Sequence, residues 1–456
     1  MKVSYLKSKI AKYAPYWVQD VAISIYNTRL YGMRHSGSYR WWRDYFQRMD
    51  AAAREVVEDD AASRLVEFLQ HARSKSPWYQ GLDATSLTRM PVLEKSDLVQ
   101  NLGRIATISR SEGIVSLTGG TTGASMEVYY TCEDMQERFA LLDHFRESFG
   151  YRLGERVAWF SGKSLATQSD VEKGRCYRDD LINKIRFFST FHVNRSNFDH
   201  YWEALEQFKP RYMVGFPSSI YEIAAVAKER GLVASYDVHA VFPTAETVLP
   251  MHREIIGSVF NTRLVDQYAS SEGAPFILEC REGRLHIHPL TGVFEVIDHD
   301  GNPASEGELL VTSFTTHGTP LVRYRIGDRI KLASPEATCA CGSVFPIVEW
   351  IDGRTSDFIW SPESGRINLG NLSNSTKDVK GIQCFQVIQD DPNRIEVHVV
   401  GASEFDSRQE EAFLAALRAR TGRQMEIRLI KVDEIPREKS GKFRIVKNSI
   451  ADFVSS

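Results

Sequence analysis

The chain has no apolar run of bilayer length, no excess of positive charge and too few cysteines for a disulfide scaffold. Each absence removes a class of function. Without about 20 consecutive apolar residues no spanning helix is expected. Residues 1–30 are broken by Lys7, Lys9, Lys12, Asp20 and Arg29, which argues against a secretory leader and makes the cytoplasm the expected location. Lysines and arginines number 56 against 59 acidic residues, and a net charge of -3 argues against electrostatic capture of nucleic acid. Six cysteines in 456 residues do not staple a fold together. Internal repeats and low-complexity tracts are missing as well. What remains is a globular composition, 43% hydrophobic and 25% charged, in a chain too long for one ordinary core, so two or more domains are expected.

One segment stands out against that background: Ser116-Leu117-Thr118-Gly119-Gly120-Thr121-Thr122-Gly123-Ala124-Ser125. Glycines let a backbone approach a ligand closely. Hydroxyls and inward-turned N–H groups form a nest for anionic oxygens, which suits a triphosphate. The Walker pattern is excluded, because neither Lys-Ser nor Lys-Thr follows Gly123. A plain Ser/Gly turn between Ile114-Val115 and the strand-like residues 127–130 uses the same residues. The stretch 12–46 is rich in Trp and Tyr with basic residues between them. It reads as a helical arm packed on the main domain, with peripheral membrane contact through an amphipathic N-terminal helix as the alternative.

Hydrophobic periodicity orders the rest. Residues 51–71 carry apolar side chains at helical spacing, and 133–149 form a second helix with Asp134 and Glu137 in its first turn and Gly150 at its end. A strand at 156–160, a helix at 198–208, a strand at 212–215, a helix at 219–230 and strands at 240–242 and 262–265 alternate as in a largely parallel α/β sheet. After about Leu285 the strands 293–298, 308–312 and 321–325 follow one another as an antiparallel set. Beyond Gly353 the segments 384–389, 394–400, 407–420 and 425–432 read as strand, strand, helix, strand. The expected fold class is α/β, a large N-terminal α/β domain with mixed sheets plus a small C-terminal α+β domain. Its parts are a helical arm at 1–75, a body at 76–352 and a tail at 353–456.

Five motifs follow in order: residues 118–123; Ala245-Glu246; Gln267-Tyr268-Ala269-Ser270-Ser271-Glu272-Gly273; Tyr324-Arg325-Ile326-Gly327-Asp328; and Gly353-Arg354-Thr355-Ser356-Asp357 paired with Pro436-Arg437-Glu438-Lys439-Ser440-Gly441-Lys442-Phe443-Arg444. This order resembles the adenylate-forming superfamily of acyl-CoA synthetases, adenylation domains and luciferases, over roughly residues 75–456. Within it the chain is most similar to the phenylacetate–CoA ligase branch, including relatives from capsular-polysaccharide loci. The resemblance implies that Thr118, Gly119, Gly120, Thr121, Thr122 and Gly123 hold the phosphates of ATP. Ala245, Glu246 and Gln267 would border the adenine, Tyr268 stack on it, and Ser271 and Glu272 hold phosphate and Mg²⁺. Asp328 would accept both ribose hydroxyls with Arg354 nearby. Ser356 and Asp357 would form the hinge of a mobile small domain that delivers the catalytic Lys442, with Lys439 as the nearby decoy. The family often ends the phosphate loop with Pro-Lys; here Ala124-Ser125-Met126 stands instead, so a charge is missing there.

The resemblance also implies an acyl pocket around Phe160, Gly215, Phe216, Pro217 and Ala269, and Lys163, Arg175 and Arg178 leave a polar carboxylate open. Cys339 and Cys341 in a Cys-x-Cys-Gly turn, with Cys280 and either His286 or His288, offer the donors of a tetrahedral structural Zn²⁺ site, the alternative being reduced core cysteines. The branch has similar elements, and its match to Gly283-Arg284-Leu285-His286 favours His286. Cys132, Cys176 and Cys384 read as structural. The implied activity is ATP-dependent formation of an acyl-adenylate and transfer to a thiol such as CoA. The alternatives are an amide ligase acting on a uronate or other sugar acid, and a non-catalytic nucleotide- or acyl-binding homologue.

Overall fold

The computed structural model describes residues 14–82, 86–118, 126–161, 165–354, 358–363, 365–368, 372, 374–376, 379–438 and 443–450. The fold is mixed α/β with several sheets. Its contacts gather residues 1–32, 151–264 and 356–456 into one unit and residues 33–150 and 265–355 into another. The parallel strands between 157 and 243 thus group with residues 356–456, and the hairpin at 114–130 groups with residues 265–355. Among the described residues no helix is long and apolar enough to cross a membrane.

In the first unit a five-stranded sheet runs in the order Tyr177–Asp180, Ile185–Ser189, Val157–Ser161, Tyr212–Gly215 and Ala240–Pro243. All pairs are parallel except the edge strand Tyr177–Asp180. Strands covered on both faces read as continuous apolar runs, and every residue of Tyr212–Gly215 and Ala240–Pro243 is buried. The helices Phe198–Phe208, Pro217–Glu229 and Pro250–Phe260 cover it around a core that includes Phe160, Phe188, Tyr201, Met213 and Phe260. Pro217 and Pro250 begin their helices, where a missing N–H costs nothing. The strand expected at 262–265 is reduced to a single bridge between Leu264 and Val241.

The same unit holds a four-stranded sheet ordered Glu426–Lys431, Arg394–Gly401, Ile382–Asp391 and Val446–Asn448. Alternating burial along Arg394–Gly401 gives a half-buried strand, and the helix Ser407–Thr421 packs Phe413 and Leu417 into its core. Asp406 caps that helix, accepting from Gln409 N at 2.9 Å. The hairpin Phe358–Ser361 with Gly365–Asn368 and the strand Val446–Asn448 are additions to the expected set; each has four residues or fewer, too short for periodicity to register.

The second unit contains the helices Tyr39–Asp50, Arg54–Lys75, Lys95–Ile105 and Cys132–Glu147 and the hairpin Ile114–Thr118 with Met126–Tyr130. A seven-stranded antiparallel sheet runs in the order Gly292–Ile297, Glu306–Ser313, Tyr324–Leu332, Ile347–Arg354, Leu285–Ile287, Ile277–Glu279 and Gln267–Tyr268. The strand expected at 321–325 begins later, at Tyr324.

The helix Cys132–Glu147 is fixed at its start by a buried carboxylate. Asp134 accepts from Thr131 N at 2.8 Å, His317 N at 2.9 Å and Gly318 N at 3.0 Å, and lies 2.8 Å from His317 Nδ1. Burial pushes the Asp134 carboxyl up, but these partners outweigh it and hold it below its ordinary value of 3.8. Burial also lowers His317, and again the Asp134 contact prevails, holding the imidazole above its ordinary 6.5. The raised imidazole contributes stability that is full below the unfolded value and is lost as pH rises through the folded one; the depressed carboxylate contributes above about 3.9 and fails in acid. Wild type should therefore exceed His317→Gln in unfolding free energy at about pH 6, with the gap narrowing towards about pH 9. A gap independent of pH in denaturant titrations refutes the charged pair.

Candidate active site

In the second unit, Thr118 ends its strand opposite Met126. Gly119, Gly120, Thr121, Thr122 and Gly123 lie outside the described residues. Two hydroxyls from the hairpin converge on one carbonyl: Ser116 Oγ donates to Ser271 O at 2.9 Å and Tyr130 Oη at 3.0 Å. Ser271-Glu272 is thereby tied to the strands that lead into the loop. The next residue, Gly273, has φ +108°, and a Cβ there would lie 2.4 Å from Thr316 Cγ2 and 2.8 Å from Tyr130 Oη, so only glycine fits. Arg138 clamps the segment, its Nη1 reaching Gly273 O at 3.2 Å, Ala274 O at 3.1 Å and Thr315 Oγ1 at 2.7 Å.

The ribose candidate Asp328 and the adenine candidate Tyr268 meet in the same unit. Tyr268 Oη donates to Asp328 Oδ2 at 2.6 Å. Burial and the adjacent carboxylate hold that phenol well above its ordinary 10.0, so it stays a donor. Asp328 pairs with Arg354 across neighbouring strands, and the register shifts between Asp328 and Arg329. Gln267 Oε1 accepts from Arg146 Nη2 at 3.2 Å, and Ala269 is exposed.

The first unit brings together the other motifs at the carboxyl ends of three adjacent parallel strands, where open α/β sheets bind ligands. Gly215 has φ +131°, and a Cβ on it would lie 1.8 Å from Phe160 O. Phe216 N donates to that carbonyl at 3.0 Å and Thr244 N to Gly215 O at 2.9 Å. The side chain of Phe160 is fully buried in the core and stacked on Phe188 at 4.8 Å. Phe216 is buried as well, and Pro217 opens its helix. Ala245 is left-handed, φ +64°, and Glu246 accepts from Ser218 N at 3.1 Å, Ser218 Oγ at 3.0 Å and Phe443 N at 2.8 Å. Arg178 is buried against Gln19 at 2.9 Å, and Arg175 lies over the Tyr16 ring at 5.1 Å, so both brace the N-terminal helix. Lys163, Ser356, Asp357, Lys439 and Lys442 lie outside the described residues.

Residues 359–449 match the model of the CapK C-terminal domain. The chain is 31% identical to protein CapK of Staphylococcus aureus over 400 residues, 85% of this chain and 88% of the relative. It belongs to the CapK family.

The family lies in the adenylate-forming superfamily, close to the phenylacetate–CoA ligases. Phenylacetate-coenzyme A ligase of Thermus thermophilus is 25% identical over 69% of this chain and 74% of the relative. Indoleacetate–lysine synthetase of Pseudomonas savastanoi is 26% identical over 54% and 60%. Among solved structures, 2-hydroxyisobutyryl-CoA ligase in its postadenylation state shares the fold, with a TM-score of 0.70 at 18% identity over 89% of this chain and 92% of that one.

This CapK-family chain also gathers four metal donors. Cys280 Sγ and Cys339 Sγ are 3.7 Å apart, Cys341 Sγ is 3.6 Å from His286 Nε2, and all four donor atoms lie within 4.8 Å of one another. His286 Nδ1 faces Phe345 O at 3.1 Å, which leaves Nε2 turned to the sulfurs. His288 is not in the group; its ring packs edge-on against Phe46 and Phe345.

Sequence reasoning missed Arg138 and gave Ser218 and Arg437 no role of their own. Arg138 sits inside a helix whose charges read as surface, and only the burial of its face reveals it. Replacing it strands two buried carbonyls, so Arg138→Met should cost about 3 kcal/mol of unfolding free energy. Unchanged stability in denaturant titrations rules the clamp out.

Proposed function

We propose that this chain is an AMP-forming carboxylate ligase that makes an acyl-adenylate from ATP and passes the acyl group to a thiol such as CoA. The supporting observation is the 2.6 Å contact of Tyr268 with Asp328, in strand register with Arg354. A carboxylate with two acceptor oxygens suits a vicinal diol, and an aromatic ring held beside it suits a base. The tie between Ser271 and the hairpin gives phosphate-binding groups a common frame.

A carboxylate acylates poorly because its leaving group would be oxide. In the first step its oxygen bonds to the α-phosphorus of ATP as the bond to pyrophosphate breaks, giving a mixed anhydride. The protein contributes position and charge stabilisation. Thr118, Thr121 and Thr122 hold the β- and γ-phosphates, Asp328 anchors the ribose, and Lys442 bridges the incoming carboxylate and the α-phosphate. Glu272 would hold Mg²⁺, which neutralises phosphate oxygens when bound. In the second step the acceptor attacks the acyl carbon and AMP leaves. The small domain turns about Ser356-Asp357 between the steps.

The second reading replaces the thiol by an amine and the acid by a uronate or other sugar acid. It is favoured by the similarity to a synthetase that joins indoleacetate to lysine. Trp17, Ile25 and Tyr26 are exposed on the helix Tyr16–Arg34, which supports peripheral membrane contact. The quartet Cys280, His286, Cys339 and Cys341 suits a structural zinc ion, since three sulfurs and one imidazole nitrogen converge within tetrahedral reach.

Two measurements test these assignments. ATP–pyrophosphate exchange should appear with one class of aryl, fatty or sugar acid. It should vanish in Lys442→Ala, which still transfers from a supplied acyl-adenylate; exchange undiminished in that variant overturns the role of the lysine. Elemental analysis should find about one zinc per chain, lost in Cys339→Ser. Zinc-free wild type from zinc-supplemented medium rejects the metal site.

A further inference from the structure

Glu246 and Arg437 form one network on the helix Pro217–Glu229. Glu246 takes the N–H and the hydroxyl of Ser218, and its Oε1 also accepts Phe443 N at 2.8 Å. Arg437 Nη1 donates to Ser218 Oγ at 3.0 Å, and Nη2 donates to Glu222 Oε2, one helical turn on, at 2.9 Å. Among the described residues the Ser218 hydroxyl accepts one hydrogen and donates one, and the Glu246 carboxylate accepts three. The Arg437 side chain is only 9% exposed. The left-handed Ala245, a conformation costly for a residue with a Cβ, immediately precedes Glu246. Two further contacts bind the same helix to the C-terminal sheet: Tyr221 Oη donates to Ile382 O at 3.2 Å and Gln383 Nε2 to Glu229 Oε2 at 2.9 Å.

We propose that Glu246 and Arg437 are positioning residues for the adenylation step, holding the chain on either side of Lys442 against the helix Pro217–Glu229. In sequence Phe443 directly follows Lys442, and Arg437 lies five residues before it. Among the described residues the Glu246 carboxylate accepts from Ser218 on the helix and from Phe443 beside Lys442, so one side chain links the two. This assignment rests on the reading of the chain as a carboxylate-activating ligase.

The test uses full-length Glu246→Gln, Arg437→Met and Arg437→Lys in two assays. Hydrogen–deuterium exchange reports the anchor without any activity, and ATP–pyrophosphate exchange kinetics report its use. Glu246→Gln should speed exchange of the Phe443 amide about tenfold or more and lower kcat by a similar factor, with KM for ATP within about twofold of wild type. Transfer from supplied acyl-adenylate should be unchanged. Arg437→Met should lose rate likewise, and Arg437→Lys should recover part of it. A raised KM for ATP at unchanged kcat overturns the proposal in favour of nucleotide binding, as does unaltered protection of the Phe443 amide. If wild type shows no exchange with any acid, the ligase reading fails and with it the use of the anchor. Amide protection would then still decide whether the anchor exists.

Discussion

The second unit depends on a helix that is buried through its charges. Along Cys132–Glu147, Asp134, Glu137, Arg138, Asp143 and Arg146 all lie inside, and each has a dedicated partner. Asp134 takes the 317–318 backbone, Glu137 pairs with Arg64, and Arg138 takes the 273–274 carbonyls. Asp143 meets His35 and Tyr39 at 3.0 Å, and Arg146 meets Gln267. Apolar packing tolerates sliding; a set of buried charges does not, because a slip leaves several of them unpaired. The hairpin, the Ser271-Glu272 segment and the edge strand with Tyr268 are thus referred to one rigid body.

That helix also marks the boundary of what composition and pattern reveal. Its limits were legible, expected at 133–149 and found at Cys132–Glu147, because Thr131 and Asp134 form a capping box and Gly150 follows. Its role was not. Asp134 and Glu137 read as ordinary first-turn acids, and nothing local distinguishes a solvated carboxylate from one enclosed by a loop nearly two hundred residues away. The helix at Phe198–Phe208 and the strand at Tyr212–Gly215 agree to the residue, the first through apolar residues at helical spacing and the second through a short apolar run ended by glycine. The bridge at Leu264 and the late start of Tyr324–Leu332 depend on pairing partners that a local window does not contain.

The site was legible in the same uneven way. Motif resemblance named Tyr268, Asp328 and Arg354, and these are neighbours through a hydrogen bond and a strand pair. It also named the ends of the parallel strands, where Gly215 and Phe216 meet the Phe160 carbonyl. Phe160, named with that region, meets Phe216 through its carbonyl while its ring is buried against Phe188. Glu246 illustrates the deeper limit: a motif fixes where a residue stands in the chain, whereas its chemistry is decided by whichever donors fold against it.

The strand order carries one more consequence. In the seven-stranded sheet, Tyr324–Leu332 is third and Gln267–Tyr268 is seventh. Four steps of about 4.8 Å would separate them by roughly 19 Å in a flat sheet, farther than the Tyr268 and Asp328 side chains can jointly reach. Their 2.6 Å contact requires the sheet to curve between them. The gap between them is therefore set by curvature. Substitutions that flatten or tighten the intervening strands, none of them touching either residue, would change the width of the cleft as a hand changes its grip by bending at the palm.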